Sequence, residues 1–238
     1  MKKPFHNLAY IAVFTLCSCA GGNPEVGGPF DCTRWILEDD VTNARDLGAW
    51  PLEDDYFIPC QKIFRGGDLT TLSTEACTDF TNLGIKTVID LRADSVQLGQ
   101  PGAACVTSIT GQLNAAMPKL LPDTPENYLA LLEETGAIAT IFEALGNPDT
   151  YPVYIHCVIG RDRASFVTAL ILLTLGADQQ TILDDFNLSE NAGVAVKPDS
   201  LQAVLDEIDK LGGIEVLLAS AGVTTGQIEV FRNEVRIK

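Results

Sequence analysis

Positive charge is what this sequence most lacks. Its 238 residues hold 16 Lys and Arg against 32 Asp and Glu, a formal net charge of −16. A chain so acidic repels nucleic acid over most of its face, which excludes nucleic acid as a general partner. Any site for an anion must then be built locally, from a few arginines and backbone N–H groups. Histidine is nearly absent, with only His6 and His156. No histidine/cysteine cluster has zinc-ligand spacing, so no metal is expected. Neither glycine-rich nucleotide fingerprint is present, and no cofactor is implied. What remains is ordinary for a globular protein, 46% apolar and 20% charged. The length suits one domain of roughly 200 residues once the N-terminus is set aside.

That N-terminus reads as an address. Lys2 and Lys3 precede the apolar run Leu8–Leu16 (LAYIAVFTL). Nine residues are too few to cross a bilayer as a helix, but they suit the core of a secretory signal peptide. The following Leu16-Cys17-Ser18-Cys19-Ala20-Gly21 resembles a bacterial lipoprotein signal, with Cys19 as the acylated residue and Cys17 as a weaker rival. The expected organisation is a signal peptide over residues 1–18, a Gly/Pro-rich tether over 19–30, and a single domain over 31–238. The expected location is extracytoplasmic, lipid-anchored to a bacterial membrane in the periplasm or at the cell surface. Five cysteines remain: Cys32, Cys60, Cys77, Cys105 and Cys157. An odd number in an oxidising compartment leaves one free thiol if the other four pair. Three pairings of those four are possible, and Cys32–Cys60 with Cys77–Cys105 is the one expected.

Along the domain, Lys86–Leu91 is a compact β-branched run and Pro152–His156 a second, both reading as buried strands. Between them, residues 125–145 carry apolar side chains at helical spacing, with Gly136 expected to divide the stretch into two helices. Residues 164–175 are apolar on nearly every face and predict a buried central helix stopped by Gly176. Residues 177–188, 199–211, 214–221 and 225–235 predict further short helices. Strands alternating with helices, then a helical C-terminal half, predict an α/β fold. Its central, mainly parallel sheet is flanked by helices.

The chemistry concentrates in His156-Cys157-Val158-Ile159-Gly160-Arg161-Asp162-Arg163, between a predicted strand and the predicted buried helix. Five residues between thiol and guanidinium let the backbone curl into a cradle whose N–H groups face one anion. The helix start adds its positive end at the same place. Gly160 permits a positive φ, and the planar fork of Arg163 grips two phosphate oxygens. The same positive field favours the thiolate of Cys157. His156, at the strand end, is expected to orient the loop rather than to carry protons.

Several segments together resemble the cysteine-based tyrosine phosphatase superfamily, in its bacterial LipA-like tyrosine and dual-specificity branch. Asn43-Ala44-Arg45-Asp46-Leu47-Gly48 resembles an early N-x-R-D-L-G motif. Ile63-Phe64-Arg65-Gly66 and residues 69–72 resemble the next strand and turn, and Gly84 to Arg92 a G-I-x-x-V-I-D-L-R strand. Cys157 to Arg163 resembles the nucleophile loop, and residues 213–223 a C-terminal helical signature. The resemblance implies a cysteine-based phosphatase fold and phosphomonoester hydrolysis. Cys157 is the implied nucleophile and Arg163 the phosphate clamp, with Val158, Ile159, Gly160 and Arg161 lining the substrate. It implies Asp162 as general acid, with Asp94 the alternate; Asp162 could instead pair with Arg45 or Arg92. Arg45, Arg65 and Arg92 either face the site or pin loops. The implied partner is a phosphorylated protein or a phospholipid head group, with the membrane reached through the N-terminal lipid. Phosphotyrosine, phosphoserine/threonine and phosphoinositide all remain open. Two departures stand out: Arg161 replaces the usual Lys, and Ala164 replaces a Thr or Ser whose hydroxyl helps the sulfur leave. The second implies slower hydrolysis of the phosphoenzyme. At its limit this gives a competing function, a phosphate-binding protein without useful turnover. A sulfurtransferase, which also uses a cysteine loop, is disfavoured by the placing of Arg163.

Overall fold

The computed structural model describes residues 32–93, 102–120 and 123–238. The signal peptide, Cys19, the tether and Asp94 lie outside the described residues. A five-stranded sheet organises the rest, in the order β1-β2-β5-β3-β4. Its strands are β1 (Arg45–Asp46), β2 (Ile63–Gly66), β3 (Thr87–Asp90), β4 (Gly111–Asn114) and β5 (Val153–His156). Strands β2, β5, β3 and β4 run parallel, and β1 joins the β2 edge antiparallel. The expected mainly parallel sheet is therefore present. Gly66 pairs with His156, His156 with Asp90 and Asp90 with Asn114, so the four parallel strands end level. The central strand β5 thus delivers the segment after His156 to the middle of the sheet's C-terminal edge, where open α/β sheets bind ligands.

Alternation along β5 divides the core. Val153 and Ile155 enter a large cluster on one face, and Tyr154 enters a smaller one with Phe64, Phe80 and Val88. Helices α1 (Thr74–Asn82) and α2 (Ala104–Thr107) cover the smaller cluster. On the larger face lie α3 (Pro125–Ala130), α4 (Thr135–Leu145), α5 (Asp162–Leu175), α6 (Gln179–Asn187), α7 (Pro198–Lys210), α8 (Ile214–Ser220) and α9 (Thr225–Val235). Helix starts are marked by side chains that accept an orphan N–H. Ser73 caps α1, Thr124 caps α3, Asp178 caps α6, and Thr224 with Gln227 forms a capping box at α9.

Helix α5 is buried around its circumference, as its sequence predicts; Phe166, Val167, Leu170, Ile171 and Leu172 are all inaccessible. Burying each such side chain contributes roughly 1.5–3 kcal/mol. Gly176 ends the helix at φ 88°, with Ala177 N bonded to Leu172 O and Gly176 N to Leu173 O. This is the paired-bond stop that favours a left-handed glycine. One boundary differs from expectation. The chain breaks at Glu134 (ψ 52°), after a 3₁₀ turn over Leu131–Glu133, and Gly136 lies inside the first turn of α4. An amide in a first turn has no intrahelical partner, so a glycine there does not end the helix.

Both expected disulfides form. Cys77–Cys105 staples α1 to α2, and Cys32–Cys60 ties the first described residue to the segment before β2. Each closes a separation of 28 residues. In the chain-entropy account such a loop contributes about 3.5 kcal/mol. Replacing Cys77 and Cys105 together by Ser should therefore lower the unfolding free energy in urea by about that amount, with the far-UV spectrum retained.

Candidate active site

The loop between β5 and α5 is held from outside by its carbonyls. Val158 O accepts from Asp68 N at 3.0 Å, and Gly160 O accepts from Asn43 Nδ2 at 3.0 Å and from Arg65 Nη2. In a trans peptide the C=O and N–H point opposite ways. The amides of Ile159 and Arg161 consequently face the other side of the loop. The N-terminus of α5 carries no side-chain cap, and the first bond there is Ser165 N to Arg161 O. The N–H groups of Asp162, Arg163 and Ala164 therefore stand at the positive end of a 14-residue helix, an arrangement suited to an anion. Gly160 has φ 69°, and a Cβ there would lie 2.5 Å from Gly66 C. Backbone conformation and space both require glycine at this position.

Cys157 is the free cysteine among the described residues, buried at 2% exposure. Its N–H bonds Gly66 O at 3.4 Å. Arg163 is buried too, its Nη1 donating to Leu91 O at 3.1 Å and Met117 O at 3.4 Å. These bonds tie α5 to the segments that follow β3 and β4. The Nε/Nη2 edge of Arg163 has no protein partner among the described residues, and that edge is the one that forks onto an oxyanion. His156 is buried beside them. Its Nδ1 lies 3.2 Å from Cys157 O, which requires the hydrogen on Nδ1, and its Nε2 lies 3.7 Å from Asp90 Oδ2. Burial holds its pKa below the ordinary value, Asp90 opposing, which favours a neutral ring whose Nδ1–H donates to the Cys157 carbonyl.

Asp162 is the first residue of α5 and half-buried. It accepts from Tyr128 Oη at 2.8 Å and from Arg161 Nε at 2.6 Å. It does not pair with Arg45 or Arg92: Arg45 is bound to Asp185, and Arg92 forks onto Asp90. The side chain of Arg161 also reaches Asp123 at 3.6 Å and Ala195 O at 3.0 Å, so its charge is met by two carboxylates. The Asp162 hydrogen bond raises the Arg161 pKa further. Val158 and Ile159 present their side chains to solvent at 41% and 37% exposure. Ser165 Oγ, one residue beyond Ala164, accepts from Arg65 Nη2 at 2.8 Å.

Beneath the loop lies a cluster that sequence reading missed. Asp185 of α6 takes a two-pronged bond from Arg45 (Nε and Nη2, both 3.0 Å) and another from Arg65 Nη1 at 2.8 Å. All three side chains have at most 1% exposure. Burial alone would raise the Asp185 pKa; Arg45 and Arg65 outweigh it and hold it at about 2. Burial, with Arg45 nearby, lowers Arg65 to about 10. The cluster therefore carries two positive charges against one negative at neutral pH. A signal existed: Asp185 lies on the buried stripe of α6 with Thr181, Ile182 and Phe186, where an acidic residue demands a buried partner. Tyr128 gave no such signal. Among the described residues, no group of three or more His, Cys, Asp and Glu could hold a metal ion.

Gly160→Ala tests the cradle directly. A methyl group against the Gly66 backbone should displace the loop and weaken binding of inorganic phosphate at least tenfold, read by calorimetry, while helical content stays unchanged.

A sequence profile described as the tyrosine phosphatase family matches residues 37–236. A protein of Cupriavidus necator, provisionally named a tyrosine-protein phosphatase, is 27% identical over 199 residues, covering 71% of this chain and 72% of that protein. The crystal structure of the core catalytic domain of a PP-IP phosphatase from S. cerevisiae, in complex with citrate, superposes with a TM-score of 0.41 at 16% identity. That superposition covers 66% of this chain and 89% of the yeast chain. With the profile spanning most of its length, the chain belongs to the tyrosine phosphatase family, whose members are cysteine-based phosphomonoester hydrolases.

Proposed function

We propose that Cys157 is the nucleophile of this phosphatase and Arg163 its phosphate clamp. The observation that carries the reading is the loop itself. A free thiol sits at its start, its carbonyls at Val158 and Gly160 are held outward, and an arginine ends it with one donor edge unbonded among the described residues. The Cys157 thiolate attacks phosphorus, forming an S–P bond as the P–O bond to the leaving group breaks. Asp162, in the protonated form of the carboxyl that otherwise accepts from Tyr128 and Arg161, gives its proton to the departing oxygen. In the second step Asp162, now a carboxylate, takes a proton from water as that water attacks phosphorus. The S–P bond breaks and the thiolate returns. Arg163 and the loop amides hold the equatorial oxygens throughout.

Two features bear on the substrate. Arg161, whose charge is met by Asp162 and Asp123, offers its backbone N–H rather than a second cationic locus. Val158 and Ile159 give the loop an exposed apolar surface. Both favour a singly phosphorylated ester with an apolar neighbour, such as a phosphotyrosyl protein, over a multiply phosphorylated head group. On a substrate panel, the protein should act on aryl phosphate and phosphotyrosyl peptide, and Cys157→Ser should abolish turnover. Full activity in that variant would refute the assignment.

Ala164 supports a second reading, in which phosphate is held but released slowly. Because Ser165 is engaged by Arg65, its hydroxyl is a poor substitute for the missing one. A burst followed by slow release of phosphate from an aryl ester distinguishes this case. Ala164→Ser, which adds one oxygen at a fully buried position, should raise the steady-state rate; an unchanged rate excludes the missing hydroxyl as the cause.

The same reading takes the protein to be exported and anchored through Cys19. Support comes from the lipoprotein-like segment and from two disulfides, which persist in oxidising compartments. Labelling with a radioactive fatty acid should mark the full chain, and Cys19→Ala should lose the label and leave the membrane fraction.

A further inference from the structure

We propose that Asp185 is a positioning residue for the reaction: through Arg45 and Arg65 it keeps the Gly160 carbonyl turned away from the phosphate site. The proposal rests on the reading of Cys157 to Arg163 as the phosphate cradle. Its starting point is a conflict within the loop. Glycine at position 160 gives the positive φ that the turn requires, yet glycine also lowers the barrier against rotating the following peptide. A rotated peptide would point the Gly160 carbonyl, rather than the Arg161 N–H, at a dianion. Something outside the loop must hold that peptide in one orientation.

Two donors do so, and both are set by Asp185. Arg65 uses its fork for Asp185 Oδ2, Gly160 O and Ser165 Oγ at once. Its plane is fixed only while Asp185 occupies one prong. The second donor is Asn43, whose Oδ1 accepts from Arg45 Nη1, leaving Nδ2 to face Gly160 O and Ser189 Oγ. Arg45 in turn is held in the two-pronged bond to Asp185. One carboxylate on α6 therefore orients both groups that grip one carbonyl in the loop. The side chains of the cluster are at most 1% exposed, so water competes little for these bonds. The cluster's excess positive charge lies on the same side of the loop and favours an anion above it.

Oxyanion binding, measured in the Cys157→Ser background so that no phosphoenzyme forms, tests the proposal. Calorimetry with sodium tungstate well below the melting midpoint gives the affinity, and kcat/KM on an aryl phosphate is read in the Cys157 protein. Asp185→Asn keeps the shape and removes the charge. Asn43→Gly removes the second donor and tolerates the residue's positive φ of 61°. It leaves the three buried charges in place, so it serves should Asp185→Asn fail to fold. Each folded variant should bind tungstate at least tenfold more weakly and lose kcat/KM by a similar factor. Parent-like tungstate affinity in folded variants overturns the positioning role and leaves the cradle intact. A Cys157→Ser parent that binds no tungstate overturns the cradle itself.

Discussion

Three ionised side chains buried together, Arg45, Arg65 and Asp185, constrain more of this molecule than any apolar contact. Removing such charges from water costs several kcal/mol each. That cost is bearable only where nearly every donor and acceptor is met; among the described residues, Arg65 Nε is the nitrogen of this cluster left without an acceptor. To meet the rest, β1, β2, α6 and the loop between β5 and α5 must converge. The short strand β1 makes sense in this light. It pairs Arg45 with Arg65 across the ladder, placing two like charges side by side, a repulsive arrangement without the carboxylate between them. The sheet edge, the helix and the loop are thus interlocked through one anion in the core.

The electrostatic character of the protein follows from where its few cations are. A net charge of −16 repels a phosphate ester at long range. Arginines near the site are engaged by carboxylates: Arg45 and Arg65 share Asp185, Arg92 meets Asp90, and Arg161 meets Asp162 and Asp123. What remains for an anion is the row of backbone amides, the positive end of α5, the Arg163 edge that has no partner among the described residues, and the one uncompensated charge of the Arg45–Arg65–Asp185 cluster. These act over a few ångströms. Selectivity in such a site comes from shape and directed hydrogen bonds rather than from a broad positive field.

How much of this could be seen in the sequence depended on chain distance. Cys157, Gly160 and Arg163 are near neighbours between a strand and a helix, and local geometry alone brings them to one place. The helices of the C-terminal half were legible because their apolar faces and stop signals are local as well. Asp185 lies 140 residues from Arg45, and nothing local to either names the other. Asn43 was visible within a motif, but its hold on Gly160 spans 117 residues. Asp162 was named from the sequence as an acid inside the loop, whereas its partners in the structure, Arg161 and Tyr128, were not foreseen. The first is its own neighbour and the second comes from α3, whose approach is a matter of packing.

The disulfide pattern carries a consequence for biogenesis. Both bridges join cysteines adjacent in chain order, neither encloses the other, and both precede Cys157. Were the chain exported from its N-terminus, as proposed above, each cystine would close before the sulfur of Cys157 emerges. Correct pairing would then be settled by order of arrival, and the last thiol would meet an oxidising surrounding with no unpaired companion in its own domain.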